Sequence, residues 1–313
     1  MTTAFTFPGQ GSQYIGMGKE LAEAFTAAKE VFQEVDETLS QNLSALMWSG
    51  EESELNLTEN TQPALMAVSV AVCRVILQES GKSLPELASY VAGHSLGEYS
   101  ALAAAGSFTL SDASRLLKLR GQAMQRAVPV GQGAMAAILG LDFEEVQKIA
   151  SEVSNSESCE AANDNSVGQV VISGHKAAVA AAVSLATERG AKRAVELPVS
   201  APFHSTLMAP AAEEMKEALA GVDLKTPCVP LIANVLADET VDPAQIKDLL
   251  VKQVTGTVRW RESVLTMREK GVGCLVELGA GKVLSGLARR INKELDTVSI
   301  ETPEQIEAFL NNV

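Results

Sequence analysis

The segment Gly93-His94-Ser95-Leu96-Gly97 joins a short apolar run, Tyr90-Val91-Ala92, to an alanine-rich stretch at 98–105 that Gly106 ends. A G-x-S-x-G pattern in that setting predicts a strand, a sharp turn that lifts a serine oxygen clear of a sheet, and a helix starting at the turn. Its two glycines stand where a side chain would clash. This requirement constrains the fold more than any other feature of the chain. The same alternation recurs elsewhere: a β run at 4–7 closed by Pro8-Gly9, helical patterning to about residue 39, and a helix opened by Thr61-Gln62-Pro63, where proline suits a first-turn position. Strands alternating with helices predict an α/β fold, a parallel sheet flanked by helices on both faces.

Between 129 and 198 the rhythm changes. Strands are expected at 134–140, 158–163, 169–173 and 192–197, helices at 143–153 and 176–189, and Asn163-Asp164-Asn165-Ser166 reads as the turn between the second and third strands. That β-α-β-β-α-β order is the ferredoxin-like pattern. We expect a ferredoxin-like α+β subdomain at 129–197, inserted into a larger, discontinuous hydrolase-like α/β domain formed by 1–128 and 198–313.

Charge and composition exclude several classes of function. The 313 residues carry 25 Lys+Arg against 39 Asp+Glu, a net charge of −14, and no basic run, so no nucleic-acid partner is expected. The four cysteines, Cys73, Cys159, Cys228 and Cys274, form no C-x-x-C pair, which argues against a zinc or redox site and for reduced, packed thiols. The apolar stretch at 64–77 is broken by Arg74 and is shorter than the ~20 residues a membrane span needs. No secretory signal is visible at the start, so a cytoplasmic protein without membrane contact is expected.

A serine nucleophile needs a base to take its proton, and the chain has three histidines, His94, His175 and His204. His94, beside Ser95 on a tight turn, points elsewhere and reads as a supporting residue. His175, in Ser173-Gly174-His175-Lys176 of the insert, reads as exposed and inert. His204, in Val199-Ser200-Ala201-Pro202-Phe203-His204-Ser205, follows a strand end of the larger domain, where the loops of an α/β sheet converge. Elimination selects His204. The order Ser…Asp…His asks for an acid between Ser95 and His204, yet Asp142 and Asp164 both fall in the insert. Asn234 offers a backbone carbonyl as an alternative, so a dyad is expected rather than a triad.

Arg120 is the most informative charge. It falls inside the helical stripe of Ala113, Leu116, Leu117 and Met124, whereas Arg115 and Lys118 do not. A buried guanidinium needs an anionic partner, either a protein carboxylate or a ligand carboxylate gripped bidentately, and the pattern alone does not choose. Gln253 lies three and four residues after Leu250 and Leu249; its amide either meets a ligand or, more simply, bonds neighbouring backbone. The glycine-rich stretches at 9–14 and 279–283 lack the residues of dinucleotide or phosphate loops. The first instead brings a backbone N–H beside the serine as an oxyanion donor.

Together these residues resemble the malonyl-CoA:acyl carrier protein transacylases of bacterial type II fatty acid synthesis. The resemblance runs through Phe7-Pro8-Gly9-Gln10-Gly11-Ser12-Gln13, Thr61-Gln62-Pro63-Ala64, Gly93-His94-Ser95-Leu96-Gly97-Glu98-Tyr99, Arg120, Gly133-Ala134-Met135-Ala136-Ala137, Gly168-Gln169-Val170-Val171-Ile172-Ser173-Gly174, Pro202-Phe203-His204-Ser205 and Glu277-Leu278-Gly279-Ala280-Gly281-Lys282-Val283-Leu284. It implies Ser95 as nucleophile, His204 as base and then acid, and the backbone N–H groups of Gln10 and Leu96 as oxyanion hole. It further implies Arg120 as the clamp on the malonyl carboxylate, Gln253 near the same site, the Asn234 carbonyl orienting His204, and Asn165 and Gln169 facing the CoA or carrier arm. The partners implied are malonyl-CoA and acyl carrier protein, with no cofactor and no metal. Ala280, where many relatives carry proline, and the loosely matching 161–165 stretch are departures that leave this chemistry intact. Because carrier proteins are acidic, docking on this acidic chain asks for a local basic patch, with Lys192, Arg193, Arg289 and Arg290 as candidates. A serine thioesterase or esterase would use the same turn but would be penalised by a buried cation, and a non-catalytic acyl-binding module would not depend on Ser95.

Overall fold

The computed structural model describes residues 2–154, 157–199 and 201–313. Its strands in chain order are β1 (Thr2–Phe7), β2 (Tyr90–Gly93), β3 (Gly133–Leu139), β4 (Cys159–Ser166), β5 (Gln169–His175), β6 (Arg193–Glu196), β7 (Leu231–Ile232), β8 (Glu239–Thr240), β9 (Val272–Leu278) and β10 (Asp296–Ile300). Six of them form one sheet in the order β10-β9-β1-β2-β7-β8. All its pairs are parallel except β7 with β8. The other four form an antiparallel sheet, β4-β5-β3-β6. The chain is thus a mixed α/β structure: a central, mostly parallel sheet flanked by helices, with a small antiparallel sheet beside it.

The central strands are buried on both faces, so they are short apolar runs rather than amphipathic ones. Phe5, Phe7 and Val91 face the larger core, built with the helix Thr58–Ser80. Ala4, Ala92 and Ile232 face the opposite side, against Trp260, Val264 and Leu284 of the helices Trp260–Glu269 and Val283–Ile291. The helix Thr58–Ser80 is long and apolar enough to cross a membrane by length and composition alone, but 89% of its most apolar window is buried inside the protein. It is apolar almost all round because it is enclosed, as a central core helix must be.

The small sheet has its own core, in which Ile138, Val170 and Ile172 meet Val146, Ile149, Val179 and Ala182 of the helices Phe143–Val153 and Lys176–Glu188. It is stitched to the rest of the chain along β4. Asp164 N–H donates to the Val258 carbonyl at 2.9 Å, Val258 N–H to the Ala162 carbonyl at 2.9 Å, and the Thr257 hydroxyl to the Ala161 carbonyl at 2.7 Å. The Asp164 carboxylate, 1% exposed, accepts from Arg261 at 2.9 and 3.0 Å.

Two local expectations fail for identifiable reasons. Asn163-Asp164-Asn165-Ser166 is not a turn but the end of β4. The reversal uses Val167-Gly168, with Gly168 at φ +67°, and irregularities in register absorb the polar residues into the strand. The side chains that made the segment look like a loop face the seam and the neighbouring cavity. The helix read as opening at Thr61-Gln62-Pro63 begins at Thr58 instead, so Pro63 lies in its second turn. There the preceding turn is held by side chains: Thr61 donates to the Leu55 carbonyl at 2.6 Å and Asn60 to the Glu54 carbonyl at 2.9 Å.

Candidate active site

Ser95 stands at the turn between β2 and the helix Gly97–Ala104. Its φ is +54°, a left-handed conformation that a serine adopts only under constraint. Three contacts impose it. His94 N–H donates to the Phe7 carbonyl at 3.0 Å, Gly97 N–H to the His94 carbonyl at 2.9 Å, and Ser95 N–H to Asn234 Oδ1 at 2.7 Å. A Cβ on Gly93 would lie 1.9 Å from the Gly97 carbonyl carbon, and one on Gly97 would lie 2.2 Å from the Phe7 oxygen. Both glycines are therefore needed for space rather than for torsion.

Folding brings His204, distant in sequence, to this serine. Ser95 Oγ and His204 Nε2 are 2.7 Å apart. His204 Nδ1 lies 2.8 Å from the Gln253 carbonyl, which can only accept. The proton therefore sits on Nδ1, and Nε2 is left to accept from the serine hydroxyl, the tautomer a general base requires. His204, like Ser95, has a positive φ, +56°. Burial, reinforced by the Arg120 charge, pushes its pKa down to about 3, which keeps the ring neutral. The expected orienting group was the Asn234 carbonyl. That carbonyl accepts from Arg259 N–H at 3.0 Å instead, and the residue acts through its side chain, whose Nδ2 donates to the Gly93 carbonyl at 2.6 Å. Asn234 braces the turn, and Gln253 orients the histidine.

Arg120, 1% exposed, points into the same place. Its Nη2 donates to Ser95 Oγ at 3.1 Å and to Gln253 Oε1 at 2.8 Å, and its Nη1 to Gln62 Oε1 at 2.8 Å. Its Nε is buried with no hydrogen-bond partner, so donor capacity remains. Among the described residues none of its hydrogen bonds reaches a carboxylate. Of the two partners left open by the sequence, a protein carboxylate is thus absent from its hydrogen bonds, although the buried Glu98 acts on its charge without one. Tyr99 lies under the guanidinium, its ring centroid 5.8 Å away. Gln253 is fully buried, with its amide committed to Arg120, Ser95 and Glu98; it holds other groups rather than presenting an open donor to a ligand.

Ser95, His204 and Arg120 line a cavity of about 170 Å³ together with Gln10, Gln62, His94, Leu96, Asn163 and Asn165. That is close to the ~150 Å³ known to hold a benzene-sized molecule, so a short acyl group fits. Gln10 and Leu96 border it from opposite elements, the loop after β1 and the start of the helix after the turn, as two oxyanion donors would need to. Asn165 Oδ1 is 2.8 Å from His94 Nε2, and His94 is half-buried, with desolvation of its ring lowering its pKa. Gln169 is not among the lining residues: it accepts from Arg290 at 2.7 Å on the surface. His175 is half-buried at the start of the helix Lys176–Glu188, accepting from Ser158 N–H at 3.0 Å, rather than fully exposed. Sequence reasoning missed Gln62, Asn163 and Glu98; each is a polar residue on a buried face, a signal shared with any satisfied core amide or acid.

Labelling of Ser95 by a fluorophosphonate measures the neutral fraction of its base. A lowered histidine pKa means the neutral form persists on acidification, so the labelling rate should show no loss centred near 6.5, the ordinary imidazole value, between about pH 8 and pH 5. A limb centred there would mean that His204 is solvated and not desolvated beside Arg120.

Comparison with known proteins agrees with this geometry. The model of the acyl transferase domain matches residues 4–302. Malonyl CoA-acyl carrier protein transacylase of Bacillus subtilis is 49% identical over 311 residues, covering 99% of this chain and 96% of that protein. The crystal structure of acyl-carrier-protein-S-malonyltransferase from Bartonella henselae superimposes with a TM-score of 0.98 at 56% identity, covering 100% of this chain and 99% of that one. A malonyl-transacylase solved in complex with a type II PKS acyl-carrier protein superimposes with a TM-score of 0.96 at 43% identity, covering 100% of both chains. The chain belongs to the malonyl CoA-acyl carrier protein transacylase family of acyl transferases.

Proposed function

We propose that this enzyme moves a malonyl group from malonyl-CoA to the phosphopantetheine thiol of acyl carrier protein, through a malonyl ester on Ser95, and so supplies fatty acid synthesis. The observation that carries the reading is Arg120: a buried cation with spare donor capacity, 3.1 Å from the nucleophile. A thioesterase acting on plain fatty acyl chains would gain nothing from that charge and would bear the cost of its burial. A malonyl carboxylate supplies the missing anion, gripped by a planar fork of donors.

The hydrogen bonds around Ser95 support a two-step route. Ser95 Oγ attacks the thioester carbonyl while its proton passes to His204 Nε2. The oxyanion of the tetrahedral intermediate accepts from the backbone N–H groups of Leu96 and Gln10, aided by the positive end of the helix Gly97–Ala104. Collapse breaks the C–S bond, and the CoA sulfur leaves with the proton from His204. The carrier thiol then attacks the ester carbonyl, giving its proton to His204, which returns it to Ser95 Oγ as the ester C–O bond breaks. Asn165 borders the path of the pantetheine arm; Gln169, tied to Arg290, belongs to its outer rim. No cofactor or metal enters these steps.

We read residues 129–197 as a ferredoxin-like subdomain inserted into a hydrolase-like body of 1–128 and 198–313. Its separate core, its β-α-β-β-α-β order and the strand order β4-β5-β3-β6 support this. The insert roofs the serine with Asn163 and Asn165 and brings basic residues together at its rim. Arg193 lies opposite Leu139, Leu139 opposite Gln169, and Gln169 meets Arg290. Lys192, Arg193, Arg289 and Arg290 there form the docking surface for an acidic carrier. A cytoplasmic location suits a reaction between these two partners.

Three measurements test the reading. Mass spectrometry after brief exposure to malonyl-CoA should find a malonyl adduct on Ser95, and its absence from wild-type enzyme would exclude the ping-pong route. Arg120→Ala should lower malonyl-CoA turnover by about a hundredfold, the scale of a lost charge-assisted grip, while acetyl-CoA becomes the preferred donor; unchanged malonyl preference would remove the clamp. Reversing Arg193 and Arg290 to glutamate should raise KM for the carrier and leave KM for malonyl-CoA alone, and an unchanged carrier KM would place docking elsewhere.

A further inference from the structure

Glu98 is a buried carboxylic acid beside the site that the steps above do not use. It is 1% exposed and lies in the first turn of the helix Gly97–Ala104. Its two oxygens differ sharply. Oε2 accepts from Gln253 Nε2 at 2.8 Å and from Asn234 N–H at 3.1 Å, whereas Oε1 is buried with no hydrogen-bond partner. Glu98 therefore holds the two residues that in turn hold the chemistry. Asn234 braces the Ser95 turn. Gln253 touches Arg120 with its side chain and His204 with its carbonyl.

The orientation of the Gln253 amide is the critical point. A primary amide presents two donors on one side and an acceptor on the other, and a half-turn exchanges them. Here Nε2 faces the Ser95 carbonyl at 2.9 Å and the Glu98 carboxyl at 2.8 Å, so Oε1 must face Arg120. Turned over, the amide would aim an N–H at a guanidinium that has only donors. Arg120 would then lose one of its two amide partners and move from the serine.

We propose that Glu98 is a positioning residue for malonyl recognition: by fixing the Gln253 amide it holds the Arg120 guanidinium beside Ser95. The inference rests on the malonyl-transfer reading of the site and names a determinant of its selectivity. Glu98 touches neither the reacting atoms nor the acyl group. Burial pushes its carboxyl up to about 7, against the pull of Gln253, Asn234 and Arg120. A proton taken on the free Oε1 would leave Oε2 accepting both bonds, so the acceptor matters and the charge does not.

Glu98→Met and Glu98→Gln in the full-length enzyme separate this role from a purely structural one. Steady-state kinetics with malonyl-CoA and with acetyl-CoA should be read beside the thermal midpoint. In the Met variant the malonyl-to-acetyl ratio of kcat/KM should fall by about tenfold, the scale of one misdirected charge-assisted hydrogen bond, on top of any loss that both donors share through the Ser95 turn. The Gln variant should keep the wild-type malonyl-to-acetyl ratio, because its carbonyl accepts in place of Oε2. A Met variant that retains that ratio, or a Gln variant that loses as much of it as Met does, overturns the proposal. Should the Met variant fail to fold, Glu98→Asp draws the acceptor back by one methylene and must lower the same ratio; a ratio equal to wild type overturns the proposal equally. Arg120→Ala in the same assay keeps the two readings apart. If it leaves malonyl preference intact, the clamp itself is wrong. If it abolishes that preference while Glu98→Met does not, only the role of Glu98 falls.

Discussion

A guanidinium buried beside a serine hydroxyl is the interaction on which the rest of this site depends. Taking Arg120 out of water is costly unless its donors are met and its charge is answered. The protein meets the two terminal nitrogens with neutral groups, the amide oxygens of Gln62 and Gln253 and the hydroxyl of Ser95, and leaves Nε free. Among the described residues no carboxylate hydrogen-bonds to Arg120, and the buried Glu98 acts on its charge without a hydrogen bond. On the proposed malonyl-transfer reading, an anionic acyl group would complete the electrostatics and an uncharged one would not. Burial, reinforced by the same charge, also keeps His204 neutral, so the cation acts on the state of the histidine as well.

Those partners come from separate parts of the chain. Gln62 lies on the enclosed helix Thr58–Ser80, Arg120 on Leu110–Ala127, Gln253 on Pro243–Thr255, and Ser95 at the end of β2. A parallel sheet covered by helices brings such elements together at the carboxyl ends of its strands. The two hydrogen-bonded residues at the centre of the site, Ser95 and His204, both sit at positive φ. Non-glycine residues hold that conformation at a cost of order 1–3 kcal/mol each. Here the Asn234 side chain, the Phe7 carbonyl and the Gln253 carbonyl hold them. The strain is thus tied to the polar network around the cation.

The small sheet completes the site from the other side. Backbone bonds between β4 and the segment at 257–258, with the Asp164–Arg261 pair, fasten it to the body. Asn163 and Asn165, on either side of Asp164 along β4, both border the cavity.

Much of this was legible in the sequence, and what was not shares one cause. Two glycines, a serine and the flanking apolar and alanine-rich runs are local features, and they mark where the turn falls even though the Phe7 carbonyl and the Asn234 side chain complete it. The β-α-β-β-α-β order from 133 to 196 is likewise local periodicity, and Arg120 showed itself by lying within an apolar stripe. Partners across the fold were a different matter. Which carbonyl meets His204, what the Gln253 amide bonds, and whether 163–166 is loop or strand depend on elements far apart in sequence. A buried amide or carboxyl looks the same along the chain whether it serves a core or a site. The sequence by itself determined most of the elements, the turn that carries Ser95 and the buried cation, because each follows from neighbours within a few residues. Only the tertiary structure decided the hydrogen bonds that aim them, because a hydrogen bond is set by distance and direction in space, which spacing along the chain does not encode.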